Sequence, residues 1–559
     1  MGERKEDRLL VARYVGDGAV LLAFDLDESG IDKLAGFAIR CKTPNRGPYL
    51  SNEYFLPNRL NLQESLTREK QAGSTQAGSD KAPFQMFHWI HFPSAGPGEY
   101  QYTVYPSYFK DDGSLELGAS ASVDVDLSYH AFPGLEVGLT RGYVSSQAYV
   151  DRFHNQLIRP GQKSIDFDTR PYLTQYQWLG AHARRIVFEF LQECKADPSI
   201  YVDVFAYDFD EPDIIRTLCE LGQRVRVFQD DSESHTKSGA MEPKAVDALR
   251  TSGANVKEGH FNRFAHDKVM IQKKNGEAMK VLTGSANFSI RGLYVQANSV
   301  LVFDNPNVAS LYETAFEQAF TDEDKFKKSA ISSQWYDIKK SGLPQLSVSF
   351  APHSTPFSLD KIADAINSAT SSVFFAVMEM GGKGAVMTAL QNLGMRTNLF
   401  SLGTIQSEAE LTLFKPGIDS NSAVTSFNFL EKNVPEPFKE EWRGGQGQVI
   451  HHKFTVCDFN AKSPAVFCGS SNLAAGGETS NGDNLIAIYD PKIATIFAVE
   501  AIRLYDHYRF RSLHEHSTSN KPLMLNSTDA WAKPYYDPKN IKFRERLVFS
   551  RATQKDWQV

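Results

Sequence analysis

The sequence predicts an α/β protein in which two similar halves follow an amino-terminal β-sandwich. Three observations support this prediction: a polar motif that occurs twice, an alternation of helices and strands that starts twice, and a series of short strands at the beginning of the chain. The expected units are residues 1–133, 134–335 and 336–515, followed by a tail, 516–559, that packs on the second half.

The β-sandwich is predicted from residues 8–130. Apolar or alternating runs such as AVLLAFDL, FQMFHWIHF and YQYTVYPSYF are separated by Gly, Pro and Asp, and helical periodicity is scarce. Tyr100 stands where immunoglobulin-like folds place a tyrosine corner. We expect this unit to be an accessory domain that supports the rest of the chain or provides a protein contact.

The two halves are predicted from alternating periodicity. Helix ARRIVFEFLQEC is followed by strand SIYVDVFAYDF and helix EPDIIRTLCELG, and the pattern restarts after a seam near 325–343 with LSVSFAP and LDKIADAINSAT. Strands that alternate with helices predict a largely parallel central sheet. Two halves related by a pseudo-two-fold axis would bring equivalent segments together at their interface, where ligand clefts form.

The repeated motif is His-x-Lys followed, after fifteen intervening residues, by Gly-Ser-x-Asn. Its copies keep one register (451 − 266 = 185), and their side chains are His266, Lys268, Ser285, Asn287 and His451, Lys453, Ser470, Asn472. Each copy is predicted to be a β-hairpin. Residues two apart on a strand share a face, so His and Lys point together, and the glycine permits close backbone approach to the Asn.

This set of side chains fits phosphodiester chemistry. Two facing copies offer two imidazoles, two ammonium groups and two carboxamides. One imidazole can attack phosphorus, the other can protonate the leaving oxygen, and the cations and amides can hold the non-bridging oxygens. The histidines, cysteines and carboxylates show no metal-ligand spacing, so we expect neither a metal nor a cofactor.

The motif resembles the signature of the phospholipase D superfamily, which is His-x-Lys, four residues, Asp, then Gly-Ser-x-Asn, usually present twice. The resemblance covers about residues 135–515. It implies that the chain hydrolyses or transfers phosphodiesters through a covalent phosphohistidine without a metal. It is specific for the superfamily, but not for a substrate.

The two copies differ at the Asp of the signature. Asp458 follows Lys453 at the expected distance, whereas the matching position in the first copy is Lys273. We expect Asp458, Ser285 and Ser470 to orient the catalytic side chains without being catalytic themselves. A first half that serves only as a scaffold is an open alternative.

The family also places a carboxylate downstream to orient one histidine. Asp483, in NGDN, is expected to orient His451, and Gln296 is the candidate hydrogen-bonding partner in the first copy. A carboxylate stabilises an imidazolium. We therefore expect His451 to begin as the general acid and His266 to be the nucleophile.

The substrate is the least determined property. A net charge of −7 gives no global basic signature, although a local cleft can still be positive. We favour nucleic acid because the motifs resemble those of bacterial nucleases in the superfamily. A phospholipase D or phosphatidyl transferase is the alternative, and a decayed binding protein is a third reading. Trp442 and Arg443, in a Gly-rich loop, are candidates for a substrate rim.

The sequence also suggests a cytoplasmic location. The five cysteines are sparse, as is common in a reducing compartment. The stretch MGERKEDRLL lacks the apolar segment of a secretory signal, and no long apolar run is present.

Overall fold

The computed structural model describes residues 9–44, 51–62, 77–130, 132–142, 146–161, 163–339, 342–378, 383–396, 399–406, 422–426, 450–515 and 523–551. The candidate rim residues Trp442 and Arg443 lie outside the described residues. Within the described part, no helix is both long enough and apolar enough to span a bilayer.

The amino-terminal region forms two antiparallel sheets, with strand orders β1-β2-β7 and β10-β8-β3-β4, the latter with β9 on β8. The strands are β1 (Leu10–Val15), β2 (Val20–Asp25), β3 (Leu34–Lys42), β4 (Glu53–Phe55), β5 (Pro57–Asn58), β6 (Ala77–Gly78), β7 (His88–His91), β8 (Glu99–Phe109), β9 (Leu115–Leu117) and β10 (Ala121–Asp126). Both sheets contribute to one apolar core that includes Leu22, Phe37 and Tyr102. The hydroxyl of Tyr100 donates to the carbonyl of Gly96.

A seven-stranded sheet follows, with order β11-β18-β17-β16-β12-β13-β14. Its strands are β11 (Leu135–Leu139), β12 (Ile200–Ala206), β13 (Val225–Asp230), β14 (Asn255–Gly259), β16 (Val269–Lys274), β17 (Glu277–Gly284) and β18 (Ser299–Phe303). Its helices are α1 (Ser146–Phe153), α2 (Leu173–Ala196), α3 (Pro212–Leu221), α4 (Glu233–Thr236), α5 (Glu242–Thr251) and α6 (Pro306–Asp322).

The second large sheet has the order β19-β20-β26-β25-β24-β21-β22-β23. Its strands are β19 (Tyr336–Ile338), β20 (Gln345–Ala351), β21 (Ser372–Val377), β22 (Phe400–Ile405), β23 (Ser422–Ser426), β24 (Phe454–Cys457), β25 (Ala465–Gly469) and β26 (Asn481–Tyr489). The short strand β15 (Phe264–Ala265) also joins it, beside β26. Its helices are α7 (Ser358–Ser368), α8 (Ala385–Gln391), α9 (Ala475–Ser480) and α10 (Pro491–Glu515).

Both large sheets are mixed, so the prediction of a largely parallel sheet is wrong. In the main strand orders, β12-β13-β14 and β21-β22-β23 pair in parallel and the other described pairs are antiparallel. The short β15 adds a parallel pair with β26. The reason is that each motif hairpin inserts its two strands into the middle of a sheet. A hairpin must pair antiparallel, whatever the crossover helices do on either side.

The two large sheets share one core. Apolar side chains from both belong to the same buried cluster, including Val204 and Val300 from the first sheet and Val466 and Ile486 from the second. The carboxy-terminal segment packs on the amino-terminal sheets, where Trp531 and Tyr535 lie in the core. Helix α11 (Ile541–Arg551) then returns to the large core, where Phe549 is buried.

Candidate active site

The repeated motif folds in the same way in both copies. Each His-x-Lys precedes the first strand of a hairpin (β16-β17 or β24-β25), and each Gly-Ser-x-Asn begins where the second strand ends. Gly284 and Gly469 have φ values of 142° and 135°, and a Cβ on either would overlap a backbone oxygen of the next strand of its sheet. These two positions require glycine for both reasons.

The backbone carries each histidine across to the opposite sheet. Ala265, just before His266, pairs in parallel with Gly482 of the second sheet. Ile450, just before His451, forms the matching bridge to Ala297. The two bridges are related by the same offset as the motifs, so both imidazoles are placed at the junction between the sheets.

The side chains follow the same crossed pattern. Nδ1 of His266 lies 2.8 Å from Oδ1 of Asp483, which follows the second motif. Nδ1 of His451 lies 2.8 Å from Oδ1 of Asn298, which follows the first motif. Each imidazole is therefore oriented by the other half through Nδ1, and its Nε2 is left for the cleft.

This geometry corrects two predictions. Asp483 does not orient His451, and the amide that does is Asn298 rather than Gln296, which instead lines the cleft. The expectation assumed that an orienting residue serves its own half. Because the strand after each motif turns toward the partner sheet, it delivers its polar side chain to the other histidine instead.

The two serines hold the orienting residues in place. Ser285 Oγ donates to Asn298 Oδ1 over 2.8 Å, while Asn298 Nδ2 donates to the carbonyl of Gly292. This fixes the amide so that its oxygen faces His451. Ser470 Oγ lies 3.0 Å from Asp483 Oδ1 and 3.1 Å from Oδ1 of the buried Asp267.

The lysines and asparagines complete the set. Lys268 and Lys453 each donate to the carbonyl of the histidine two residues earlier, the second over 2.9 Å. Nδ2 of Asn287 donates to Asp208 Oδ2 over 2.6 Å. The buried side-chain oxygens of Asn287 and Asn472 have no hydrogen-bond partner among the described residues. Both residues line the cleft.

Burial controls the protonation of the site. Burial, assisted by Lys268, lowers the pKa of His266 to about 4, although Asp483 acts in the opposite direction. Burial, then Lys453 and Lys268, lowers the pKa of His451 well below its usual value. Both imidazoles are thus neutral at pH 7 in the free protein. The expectation that a carboxylate keeps His451 charged is wrong, because the carboxylate lies on the other histidine.

The two imidazoles face one cleft of about 520 Å³. Its wall includes both motif asparagines and is mostly polar, and it carries four cationic side chains beyond the motifs: Lys163, Lys237, Arg263 and Arg291. The single-chain geometry expected from the repeat is therefore present, because one chain supplies both histidines to the same space.

Three residues near the motifs lie away from this cleft. Asp458 accepts hydrogen bonds from the backbone amides of Thr370, Ser371 and Ser372, so it anchors the entry to β21 instead of supporting the imidazoles. Lys273, at the matching position, pairs with Glu313. His452 points away from His451 and lies 2.9 Å from Glu500.

The sequence reasoning missed a second group of residues on the first half. Asp208 follows β12, Asp230 is the last residue of β13, and His235 lies on α4. The ring of His235 lies between the carboxylates of the two aspartates. Tyr207 adds its ring, edge-on to His266 and 4.8 Å from the ammonium of Lys268. These residues belong to no repeated pattern, so the duplication in the sequence gives no indication of them.

Two carboxylate clusters could be considered for a metal. Asp208, His235 and Glu242 present ligand atoms within 4.8 Å of one another, as do Asp203, Glu313 and Glu317. In the first cluster both ring nitrogens of His235 already face carboxylates. In the second, Lys273 and Arg226 supply the positive charge. Both clusters are built as ion-pair networks.

A comparison with known families matches part of the first half. Residues 188–320, which contain the whole first motif, match the family model described as "Cardiolipin synthase, PLD-like domain". This part of the chain is therefore similar to a phospholipase D-like domain. A comparison with curated proteins found no match.

Several solved structures are similar to the chain. Phosphatidylserine synthase from Haemophilus influenzae Rd KW20 is 10% identical with a TM-score of 0.42, over 64% of this chain and 90% of that one. Nuc from Salmonella typhimurium, a phospholipase D family member, is 21% identical with a TM-score of 0.21, over 24% and 85%. A polyphosphate kinase from Porphyromonas gingivalis is 13% identical with a TM-score of 0.39, and the 65% of this chain that matches spans only 54% of the kinase.

Proposed function

We propose that the chain is a phosphodiesterase of the phospholipase D type that works through a phosphohistidine and without a metal. The observation that carries the proposal is the crossed orientation of His266 and His451. Each ring is held through Nδ1, and both face one cleft that the two motif asparagines also line. An isolated surface histidine would not need such a partner.

His266 is the proposed nucleophile. Its Nε2 attacks phosphorus, and the phosphorylated ring carries a positive charge that Asp483 stabilises across 2.8 Å. Lys268, Lys453 and the Nδ2 groups of Asn287 and Asn472 are the proposed donors to the phosphoryl oxygens.

His451 is the proposed general acid and, later, the general base. It is neutral in the free protein, so it must gain a proton as the substrate binds. A phosphodiester anion among the cations of the cleft raises its pKa and supplies the reason for this uptake. After the leaving group departs with that proton, neutral His451 can activate water against the phosphohistidine.

The proposed organisation is that of two equivalent halves, 134–335 and 336–515, behind a β-sandwich formed by 1–133. The matched hairpins, glycines and bridges support the equivalence of the halves, and the two antiparallel sheets with a shared core support the sandwich. The sequence predicts that the tail, 516–559, packs on the second half. Its contacts with the amino-terminal core favour a tail that fastens the two regions together.

Nucleic acid is the proposed substrate class, with a phospholipid as the other outcome of the test. The cleft wall is polar, and its four additional cations outnumber the three carboxylates that also line it, those of Asp208, Asp210 and Glu242. This balance favours a substrate with several phosphates over one with acyl chains. The test is a comparison of turnover on single-stranded DNA, double-stranded DNA, RNA and phosphatidylcholine vesicles, in the presence of EDTA. Turnover of the vesicles alone would reject nucleic acid, and complete dependence on added Mg²⁺ or Mn²⁺ would reject the metal-free mechanism.

The covalent step has its own test. Quenching during turnover should leave an acid-labile phosphopeptide that contains His266, and His266→Ala should abolish it. His451→Ala should slow breakdown of the adduct on the order of 10²–10⁴-fold. An adduct on His451 would exchange the two roles, and the absence of any adduct would reject the mechanism.

A further inference from the structure

A buried histidine outside the motif lies between two carboxylates of the first half. Nε2 of His235 is 3.0 Å from Asp208 Oδ1, and its Nδ1 is 2.7 Å from Asp230 Oδ1. A neutral imidazole carries only one N–H, so only the imidazolium can donate to both carboxylates. Burial lowers the pKa of His235, but Asp208 and Asp230 outweigh it and raise it to about 10.

The remaining oxygens of the two carboxylates reach opposite ends of the first motif. Asp208 Oδ2 accepts from Nδ2 of Asn287 over 2.6 Å. Asp230 Oδ2 accepts from the backbone amide of Ala265, the residue before His266, over 2.5 Å. Through these two carboxylates, His235 therefore links the backbone before His266 to the side-chain amide of Asn287.

The contact with Asp208 determines how Asn287 faces the cleft. The NH₂ group is directed to the carboxylate, and one of its two N–H bonds is used there. The second N–H is available to a phosphoryl oxygen in the cleft that Asn287 lines. Without a fixed Asp208, the amide could turn and present its oxygen to an anionic ligand, which would repel it.

In the second half, a neutral side chain makes the equivalent contact with the backbone before the motif histidine. Oε1 of Gln406 accepts from the backbone amide of Ile450 over 3.0 Å, which matches the bond between Asp230 and Ala265. Gln406 is neutral and needs no counter-ion. In the first half, two carboxylates stand beside a cleft that must admit an anion, and an imidazolium between them offsets their charge.

We propose that His235 is a positioning residue that holds Asn287, through Asp208, in the orientation that binds a phosphoryl oxygen. The inference rests on the proposed function only in taking the anion to be the substrate phosphate. Both ring nitrogens of His235 face carboxylates, so the ring has no N–H left to donate to that anion, and it acts on the anion-binding amide through Asp208.

The test is a double-mutant cycle with His235→Gln, Asn287→Ala and both together, in the full chain. The readouts are kcat for bis(p-nitrophenyl) phosphate and the Kd of tungstate measured by calorimetry. We expect His235→Gln to lower kcat about 10-fold or more. This is a fraction of the decrease in kcat that removal of a hydrogen-bond donor to the anion causes. We expect most of that loss to disappear in the Asn287→Ala background, because coupled groups are not additive. His235→Arg, which can still donate to both carboxylates, should retain more activity than His235→Gln.

His260→Gln is the matched control, because His260 pairs with Asp231 on the surface and does not line the cleft. Its kcat and tungstate Kd should equal those of the wild type.

If His235→Gln lowers kcat equally in both backgrounds, the inference is wrong, whereas loss of turnover in His266→Ala would still support the proposed function. If the wild type turns over no phosphodiester, the proposed function fails, and tungstate decides the inference alone: a weaker Kd that is less than additive with Asn287→Ala supports it, and an unchanged Kd overturns it.

Discussion

At the scale of single residues, the two imidazoles of the site differ in one partner. His266 has a carboxylate at Nδ1, and His451 has an amide. An amide orients a ring without favouring its charge, whereas a carboxylate also stabilises a positive ring. The difference therefore suits His266 to the step in which its ring becomes cationic, and His451 to a role in which it must take up and release a proton.

Replacing Asp483 with Asn should slow formation of the adduct on His266, on the order of 10²-fold, because the cationic phosphohistidine loses its counter-ion. The measurement is the rate of phosphoryl incorporation in rapid-quench experiments. Asn298→Asp, the matched change on the other side, should affect adduct breakdown more than its formation. A larger loss of formation in Asn298→Asp than in Asp483→Asn would assign the nucleophile to His451.

The low pKa values of the two histidines give a pH dependence with a definite sign. Burial and the lysines keep both rings neutral at pH 7, while a bound oxyanion favours protonation. Tungstate binding should therefore take up protons, and its affinity should fall as pH rises from 5 toward the higher pKa of the complex. Calorimetry in two buffers with different ionisation enthalpies measures this uptake; identical apparent enthalpies would contradict it.

At the scale of elements, the hairpins could be predicted from the sequence and their connections could not. The spacing between His-x-Lys and Gly-Ser-x-Asn defines the hairpin, and the glycines occupy the positions where their positive φ is needed. The offset of 185 also relates Asp483 to Asn298, so that partner was recoverable. Which histidine each would face depends on how the strands cross between sheets, and local periodicity carries no such information. Asp230 and its counterpart Gln406 differ in type, so no repeat revealed them.

Gly469→Ala tests the hairpin end. A Cβ would overlap the carbonyl of Asn484, and the φ of 135° disfavours any side chain, so we expect about 1–3 kcal/mol less stability together with weaker tungstate binding. Gly276→Ala is the control: it lies in the turn of the other hairpin with open space around it, and it should cost about 1 kcal/mol through its φ alone and leave tungstate binding unchanged. Urea unfolding and calorimetry measure the two effects. Normal tungstate binding in a folded Gly469→Ala protein would show that the close approach is not needed.

Another element-scale prediction concerns His88 on β7, which lies between Asp506 of α10 and Glu545 of α11. Burial lowers its pKa, but the two carboxylates outweigh this and raise it to about 10. A raised pKa contributes stability that is fully present below about 6.5 and is lost as pH rises toward 10. The stability difference between the wild type and His88→Gln should therefore be larger at pH 6 than at pH 9.5 in urea unfolding. A difference that does not change with pH would mean that His88 is not charged in the native state.

At the scale of the whole molecule, the amino-terminal sheets and the carboxy-terminal tail form one structural unit. Trp531 is buried in the amino-terminal core, where its indole N–H donates to the carbonyl of Leu34 over 2.9 Å. Arg546 of α11 pairs with Asp25 of β2. The two regions thus stabilise each other, although none of their described residues lines the cleft.

The single-chain site can be tested by mixing two inactive proteins. Because one molecule supplies both imidazoles, His266→Ala and His451→Ala proteins should each be inactive in turnover, and a mixture of the two should be inactive as well. Recovery of a substantial part of the wild-type rate in the mixture would show that the cleft forms between two chains.

The crossed pairing of histidines and orienting residues has an evolutionary consequence. A homodimer of the first half would give both imidazoles amide partners, and a homodimer of the second half would give both of them carboxylates. Only a molecule that contains one copy of each half can have one carboxylate and one amide in the same site. Because both halves stand in one chain, each site contains one copy of each, so a change at Asp483 or at Asn298 alters the partner of one histidine and leaves that of the other unchanged.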